Sequence, residues 1–159
     1  MNKQPGSRSC FVCGLENPRG LKLEFYTLSP GEVEARTTIS DEYQGYPGVV
    51  HGGVIAAMLD EATGRSMMDG SPSGFMVTSQ LSIRYRKPVP VGQPLKVVGH
   101  AGTRRGRVSQ ATGEVVGLDG SILAQAEAVM VDIPPEAVAE MDPEKLGWQV
   151  YPDRPKERA

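Results

Sequence analysis

The residues of this chain that could do chemistry are few and closely spaced. Val50-His51-Gly52-Gly53 leads into the apolar run Val54-Ile55-Ala56-Ala57-Met58-Leu59, and Asp60-Glu61 follows at once. Two glycines at a helix start can leave backbone N–H groups uncovered, at the end where the peptide dipoles put partial positive charge. Such an end suits a developing oxyanion. A carboxylate in an otherwise apolar helix needs a use or a partner, because burying it alone is costly. Asp60 and Glu61 point about 100° apart around the helix, so one of them must face elsewhere. Glu61 is read as a salt-bridge or interface residue.

Spacing then restricts how these groups can meet. His51 and Asp60 are nine residues apart, which on a helix is roughly 13 Å along the axis and about half a turn around it. One copy of the chain cannot bring them together. If they share a site, the acid comes from a second copy, and a two-fold dimer with antiparallel helices would supply it twice.

Cys10 and Cys13 form a C-x-x-C pair that could be half a zinc site, a redox pair or two small hydrophobes in a turn. No second C-x-x-C completes a zinc tetrad, and the only histidines are His51 and His100. Gly14 and Asn17-Pro18 favour a turn, so the structural reading is preferred and no metal or cofactor is assigned.

At 159 residues the chain suits a single domain with a substantial core. Its 17 basic and 19 acidic residues nearly balance, which argues against a nucleic-acid surface or a membrane-binding patch and favours a small-molecule partner. Met1 to Ser9 is polar, and no apolar run approaches the ~18 residues of a membrane span. The expected location is cytoplasmic.

The elements that must position these residues follow from periodicity. An arm over 1–20 closes in Asn17-Pro18-Arg19-Gly20. Leu21, Leu23 and Phe25 alternate with polar residues as a half-buried strand, and Val33 to Ile39 returns as its hairpin partner. Val54 to Leu59 is apolar on every side, which predicts a helix surrounded by protein. The helix ends over 65–70, and Ser71-Pro72-Ser73-Gly74 is a connector. A long strand follows, with Phe75, Val77, Leu81, Ile83 and Tyr85 on one face and Thr78, Gln80, Ser82, Arg84 and Arg86 on the other. Three more strands are expected at 95–101, 108–117 and 122–131, the last two joined by Asp119-Gly120. Ala124, Ala126 and Ala128 give the last strand a small face on which a helix can lie close. The fold class is α+β, an antiparallel sheet wrapped around one long central helix over residues 21–132. In the tail, 133–159, Pro134 to Met141 can start a short helix, and Trp148 onward reads as loose.

This order of elements resembles the hotdog fold. Tyr46-Pro47-Gly48-Val49-Val50-His51-Gly52-Gly53, with Asp60 at its spacing, is similar to the acyl-CoA thioesterases of the phenylacetate-degradation type, and most to relatives grouped with thioesterase superfamily member 4. Thr78-Ser79-Gln80-Leu81-Ser82-Ile83-Arg84-Tyr85-Arg86-Lys87-Pro88 resembles that group's strand in register, and Cys10-Phe11-Val12-Cys13-Gly14 resembles the opening of bacterial members. The resemblance spans about residues 10–132. It implies hydrolysis of an acyl or aromatic acyl-CoA without a cofactor, in a homodimer or a dimer of dimers. By the same resemblance the Gly52 N–H would polarise the thioester carbonyl, with Gly53 beside it and His51 supporting the carbonyl or the loop. Asp60 would be the nucleophile or the general base, ionised in either role. Thr78 would orient water or the acid, and Arg84, Arg86 and Arg107 would meet coenzyme A, since guanidinium groups bind phosphate bidentately. Gln44 is a departure, because the family's amide stands nearer the histidine. Met58, Met67, Met68 and Phe75 are expected at the pocket floor. A non-catalytic acyl-CoA-binding module and a hotdog hydratase or dehydratase are the competing readings.

Overall fold

Alternating burial along each strand fixes which face of the sheet meets the helix. The computed structural model describes residues 1–68 and 75–153. Its strands are β1 (Asn2–Lys3), β2 (Phe25–Ser29), β3 (Glu32–Thr38), β4 (Met76–Tyr85), β5 (Pro94–Arg105), β6 (Val108–Val116) and β7 (Ile122–Asp132). They form one antiparallel sheet of seven strands in the order β1-β2-β3-β5-β6-β7-β4. The long helix α1 (Gly52–Ser66) lies in its concave face, and two short helices, α2 (Pro135–Glu140) and α3 (Pro143–Leu146), follow the last strand. This is the α+β arrangement expected, with β4 left as an edge strand.

The approach of α1 to the sheet is set by small residues. Ile55, Met58, Leu59 and Ala62 turn inward and are buried against Val33, Val97, Val115 and Ala126. Burying Ile55, Met58 and Leu59 contributes roughly 1.5–3 kcal/mol each. Gly99 on β5 pairs with Gly113 on β6, and a Cβ at Gly99 would fall 2.1 Å from the Ala62 carbonyl oxygen. The glycine pair is a notch for the helix, continued on β7 by the buried Ala124, Ala126 and Ala128.

Four expectations are corrected. Within one chain the helix is not surrounded on every side, because the stripe Gly53, Ala57, Asp60 and Gly64 stays partly open. The first hairpin strand starts at Phe25 rather than Leu21. Leu21 and Leu23 are buried as their alternation requires, but their N–H groups bond the carbonyls of Phe11 and Val12, at 2.7 and 2.8 Å, so this stretch pairs with the arm. β5 continues to Arg105 beyond an irregularity at 101–104. Trp148 is not loose: its ring packs edge-on against Phe75, and Gln149 bridges to Gly6. The connector Ser71–Gly74 and the last residues of the tail lie outside the described residues.

Candidate active site

The helix start is held by a short network. His51 is the N-cap of α1, and its Nδ1 accepts the Gly53 N–H at 2.9 Å. An accepting Nδ1 leaves the ring proton on Nε2. The Gly52 carbonyl accepts the Tyr85 hydroxyl at 2.9 Å. The peptide between Gly52 and Gly53 is therefore fixed at both its oxygen and its N–H. The preceding peptide contributes the Gly52 N–H, which has no acceptor among the described residues. A groove of about 790 Å³ opens there, lined by Tyr46, His51, Gly52, Tyr85, Arg86 and Lys87 among others. Gln44 is not on that lining; its amide oxygen accepts the Gly48 N–H at 3.0 Å and closes the loop before the helix.

Asp60 lies two and a half turns along α1, half-buried, and Thr78 Oγ1 donates to its Oδ1 at 2.6 Å. The contact depends on a β-bulge. Thr78 pairs with Met130 and Gln80 with Val129, so Ser79 is an extra residue in β4. One inserted residue exchanges the two faces of a strand. Thr78 consequently faces the helix with Leu81, Ile83 and Tyr85, whereas Val77 is turned outward and is 54% exposed. This corrects the expected grouping of Thr78 with Gln80, Ser82 and Arg84. Asp60 Oδ2 has no partner among the described residues. The groove beside it is smaller, about 160 Å³, and includes Gly64, Met68, Phe75, Met76 and Trp148. The two grooves share no residue.

Glu61 faces the N-terminal arm. Its Oε1 accepts Arg65 Nε at 2.7 Å, the salt bridge expected of it. Arg65 is 3% exposed, donates to the Pro5 carbonyl at 2.7 Å, and lies over the rings of Phe25 and Trp148. Burial pushes the Glu61 carboxyl up to about 7 against the pull of Arg65. Cys10 is pulled down to about 6 by a hydrogen bond from Cys13, whose own thiol is pushed up to about 12 by that bond and by burial.

The three arginines are not brought together within one chain. Arg84 and Arg86 are exposed at the far end of β4, where Arg86 donates to Gln125. Arg107 is in the β5–β6 turn at the opposite end, donating to the Asp132 carbonyl at 3.1 Å beside an Arg104–Asp132 ion pair. Asp132 pairs with Met76 and Gln125 with Arg84, a separation of roughly 25 Å along the strand. Of the expected pocket-floor residues, Met68 and Phe75 flank the Asp60 groove, while Met58 is fully buried in the core. Sequence reasoning did not single out Tyr85, Lys87 or Trp148. Tyr85 and Lys87 were legible as polar groups in the Thr78 to Pro88 strand; Trp148 gave no signal, being in a polar tail.

Comparison with known proteins places this geometry. Residues 47–124 match the family model of the Thioesterase superfamily. The mouse (Mus musculus) acyl-coenzyme A thioesterase THEM4 is 31% identical over 122 residues, covering 74% of this chain and 51% of that protein. The chain spans about half the length of the curated relatives it matches. A crystal structure of a thioesterase superfamily protein superposes with a TM-score of 0.72 at 35% identity, over 78% of this chain and 63% of that one. A Streptococcus mutans protein crystallised bound to acetyl CoA shares the fold, with a TM-score of 0.63 at 24% identity over 70% of this chain and 88% of its own. The chain therefore carries a thioesterase-superfamily domain, and its architecture is the hotdog fold.

Proposed function

We propose that this protein is an acyl-CoA thioesterase whose site is assembled from two copies of the chain. One observation carries the reading: an oxyanion donor, Gly52 N–H, and an acid oxygen, Asp60 Oδ2, both without a partner among the described residues, open into separate grooves of one chain. Each groove is half of a hydrolytic site.

A second copy joins the halves if the free edges of β4 pair antiparallel about a two-fold axis between Leu81 and Ser82. Thr78 of one copy then falls opposite Tyr85 of the other, which puts Asp60 beside the other copy's helix start. The open stripe Gly53, Ala57, Asp60 and Gly64 lets the two α1 helices approach closely. In that site Gly52 N–H binds the thioester oxygen, and Asp60 Oδ2 attacks the carbonyl carbon or takes the proton of the attacking water. The C–S bond then breaks and the coenzyme A thiolate leaves: on the water route it takes the proton that Asp60 has accepted, and on the nucleophile route it is protonated by solvent and water then hydrolyses the acyl–Asp60 anhydride to the free acid. Thr78 holds Oδ1 so that the other oxygen is presented, while His51 caps the helix and keeps Nε2–H toward the groove. Arg86 and Lys87 line the mouth where the coenzyme A phosphates would enter, with Arg84 next along the strand and Arg107 supplied by the second copy. Phe75, Met68 and Trp148 offer an apolar surface to the acyl group. The mouse relative is an acyl-coenzyme A thioesterase, which supports the reaction class.

The test is subunit complementation. His51→Ala and Asp60→Asn homodimers should each release coenzyme A from acyl-CoA at least about 100-fold more slowly than wild type. Co-refolded in equal amounts, half of the dimers are mixed, each with one intact site, so activity should return to about a quarter of wild type. No recovery in verified mixed dimers would place both groups in one chain's site. A folded, dimeric wild type without turnover on any acyl-CoA would leave a binding module.

A further inference from the structure

We propose that Cys10, Cys13 and Glu61 form a metal site for a thiophilic divalent ion of the Zn²⁺ class, which ties the N-terminal arm to α1 one residue away from Asp60. The two sulfurs and a carboxylate oxygen lie within 4.8 Å of one another, and Cys10 Sγ is 3.9 Å from Glu61 Oε2. A tetrahedral Zn²⁺ with bonds of about 2.3 Å to sulfur and 2.0 Å to oxygen spaces its ligands roughly 3.5–3.8 Å apart. The ligands thus need to move inward only by fractions of an ångström to at most about an ångström.

The surroundings are built for this set. Cys10 Sγ accepts the N–H groups of Val12 and Cys13 at 3.3 and 3.4 Å, as a metal-bound thiolate in a tight turn requires. The turn is closed by Gly14, where a Cβ would fall 2.4 Å from the Cys10 carbonyl oxygen. Glu61 is held through Oε1 by Arg65, which leaves Oε2 toward the sulfurs. Ser7 Oγ is buried and 3.8 Å from Cys13 Sγ, a tetrahedral ligand spacing from that sulfur. Charge closes the argument: two thiolates and one carboxylate carry −3, and a divalent ion with the buried Arg65 supplies +3. Buried charges are tolerated when they are paired, and sulfur ligands select zinc-like ions over hard cations. Nothing in hydrolysis uses these groups, so the site is structural. It reverses the sequence-based preference for a plain turn, because the third ligand comes from Glu61, 51 residues further along the chain.

The experiment uses the full chain. Purified protein should hold about one zinc per chain by mass spectrometry, and chelator-stripped, reduced protein should bind about one Co²⁺ with thiolate-to-cobalt charge-transfer absorption. Cys10→Ser should abolish that band, and Glu61→Gln should weaken Co²⁺ binding at least about tenfold. Asp60→Asn should bind Co²⁺ as wild type does, which separates this site from the hydrolytic one. The proposal fails if the reduced wild type shows no thiolate band, if Cys10→Ser keeps it, or if the cysteines are found as a disulfide and reduction restores no metal binding.

Discussion

Asp60 and Glu61 are neighbours in the chain and both border the groove beside the edge strand, yet Asp60 meets Thr78 of β4 there while Glu61 turns to the packed arm. Among the described residues Asp60 has a single side-chain partner, the Thr78 hydroxyl, and one oxygen left over. Glu61 is held by Arg65 and lies against Cys10 of the arm, and burial pushes its carboxyl up to about 7. The same functional group is thus used twice. Where it is open it is available for reaction, and where it is enclosed it joins two parts of the fold.

The largest expected effect comes from breaking the enclosed side. Arg65→Met removes the guanidinium that pairs with Glu61 and bonds Pro5. Breaking a buried pair by removing one partner costs about 3–5 kcal/mol. The loss should depend on pH. A folded-state carboxyl raised from 4.5 to about 7 binds more protons than the unfolded chain between those values, so stability falls as pH rises through that window. Arg65 lowers that value in the wild type, so its removal should raise it further and extend the fall to higher pH. Urea unfolding of chelator-treated protein at pH 5 and pH 8 should therefore show the smaller penalty at pH 5. An equal penalty at both would mean that Glu61 is not the group left unpaired.

A smaller effect is expected on the open side. Thr78→Val keeps the branched shape and removes only the O–H that meets Asp60. A hydrogen bond to a charged group is worth about 1.5–3 kcal/mol, so turnover should fall roughly 10- to 100-fold. Because Thr78 is exposed, the thermal midpoint should move by no more than about 2 °C. A large stability loss with unchanged turnover would assign Thr78 to the fold instead.

These two sides were unequally legible in the sequence. The helix, the hairpin at Asp119-Gly120 and the alanine face of β7 followed from period and turn chemistry, which are local. The register of β4 did not follow. Strict alternation from Phe75 to Tyr85 put Thr78 on the polar face, and only the partner strand shows that Ser79 is extra. The notch at Gly99 and Gly113 was also silent, since a glycine in a strand does not say what approaches it. The arm–helix contact joins Cys10 to Glu61 and Gln4 to Arg65 across more than 50 residues, with no periodic signal. Trp148 read as part of a loose tail for the same reason.

The smallest effect tests how the two ends of β4 are coupled. Thr78 and Tyr85 are seven residues apart, an odd spacing that would put them on opposite faces of a regular strand. The Ser79 bulge brings both onto α1, one at Asp60 and one at Gly52. Tyr85→Phe deletes only the bond to the Gly52 carbonyl, which is worth about 0.5–1.5 kcal/mol between neutral groups. His51 still holds the other side of that peptide through Gly53 N–H. Turnover should therefore fall about 3- to 10-fold. Tyr85 acts by fixing the direction of the neighbouring Gly52 N–H, a bond that matters most when negative charge develops on the substrate oxygen. The loss should consequently appear in kcat with KM little changed. A rise in KM alone would make Tyr85 a wall of the substrate groove, and the bulge would then serve Asp60 only.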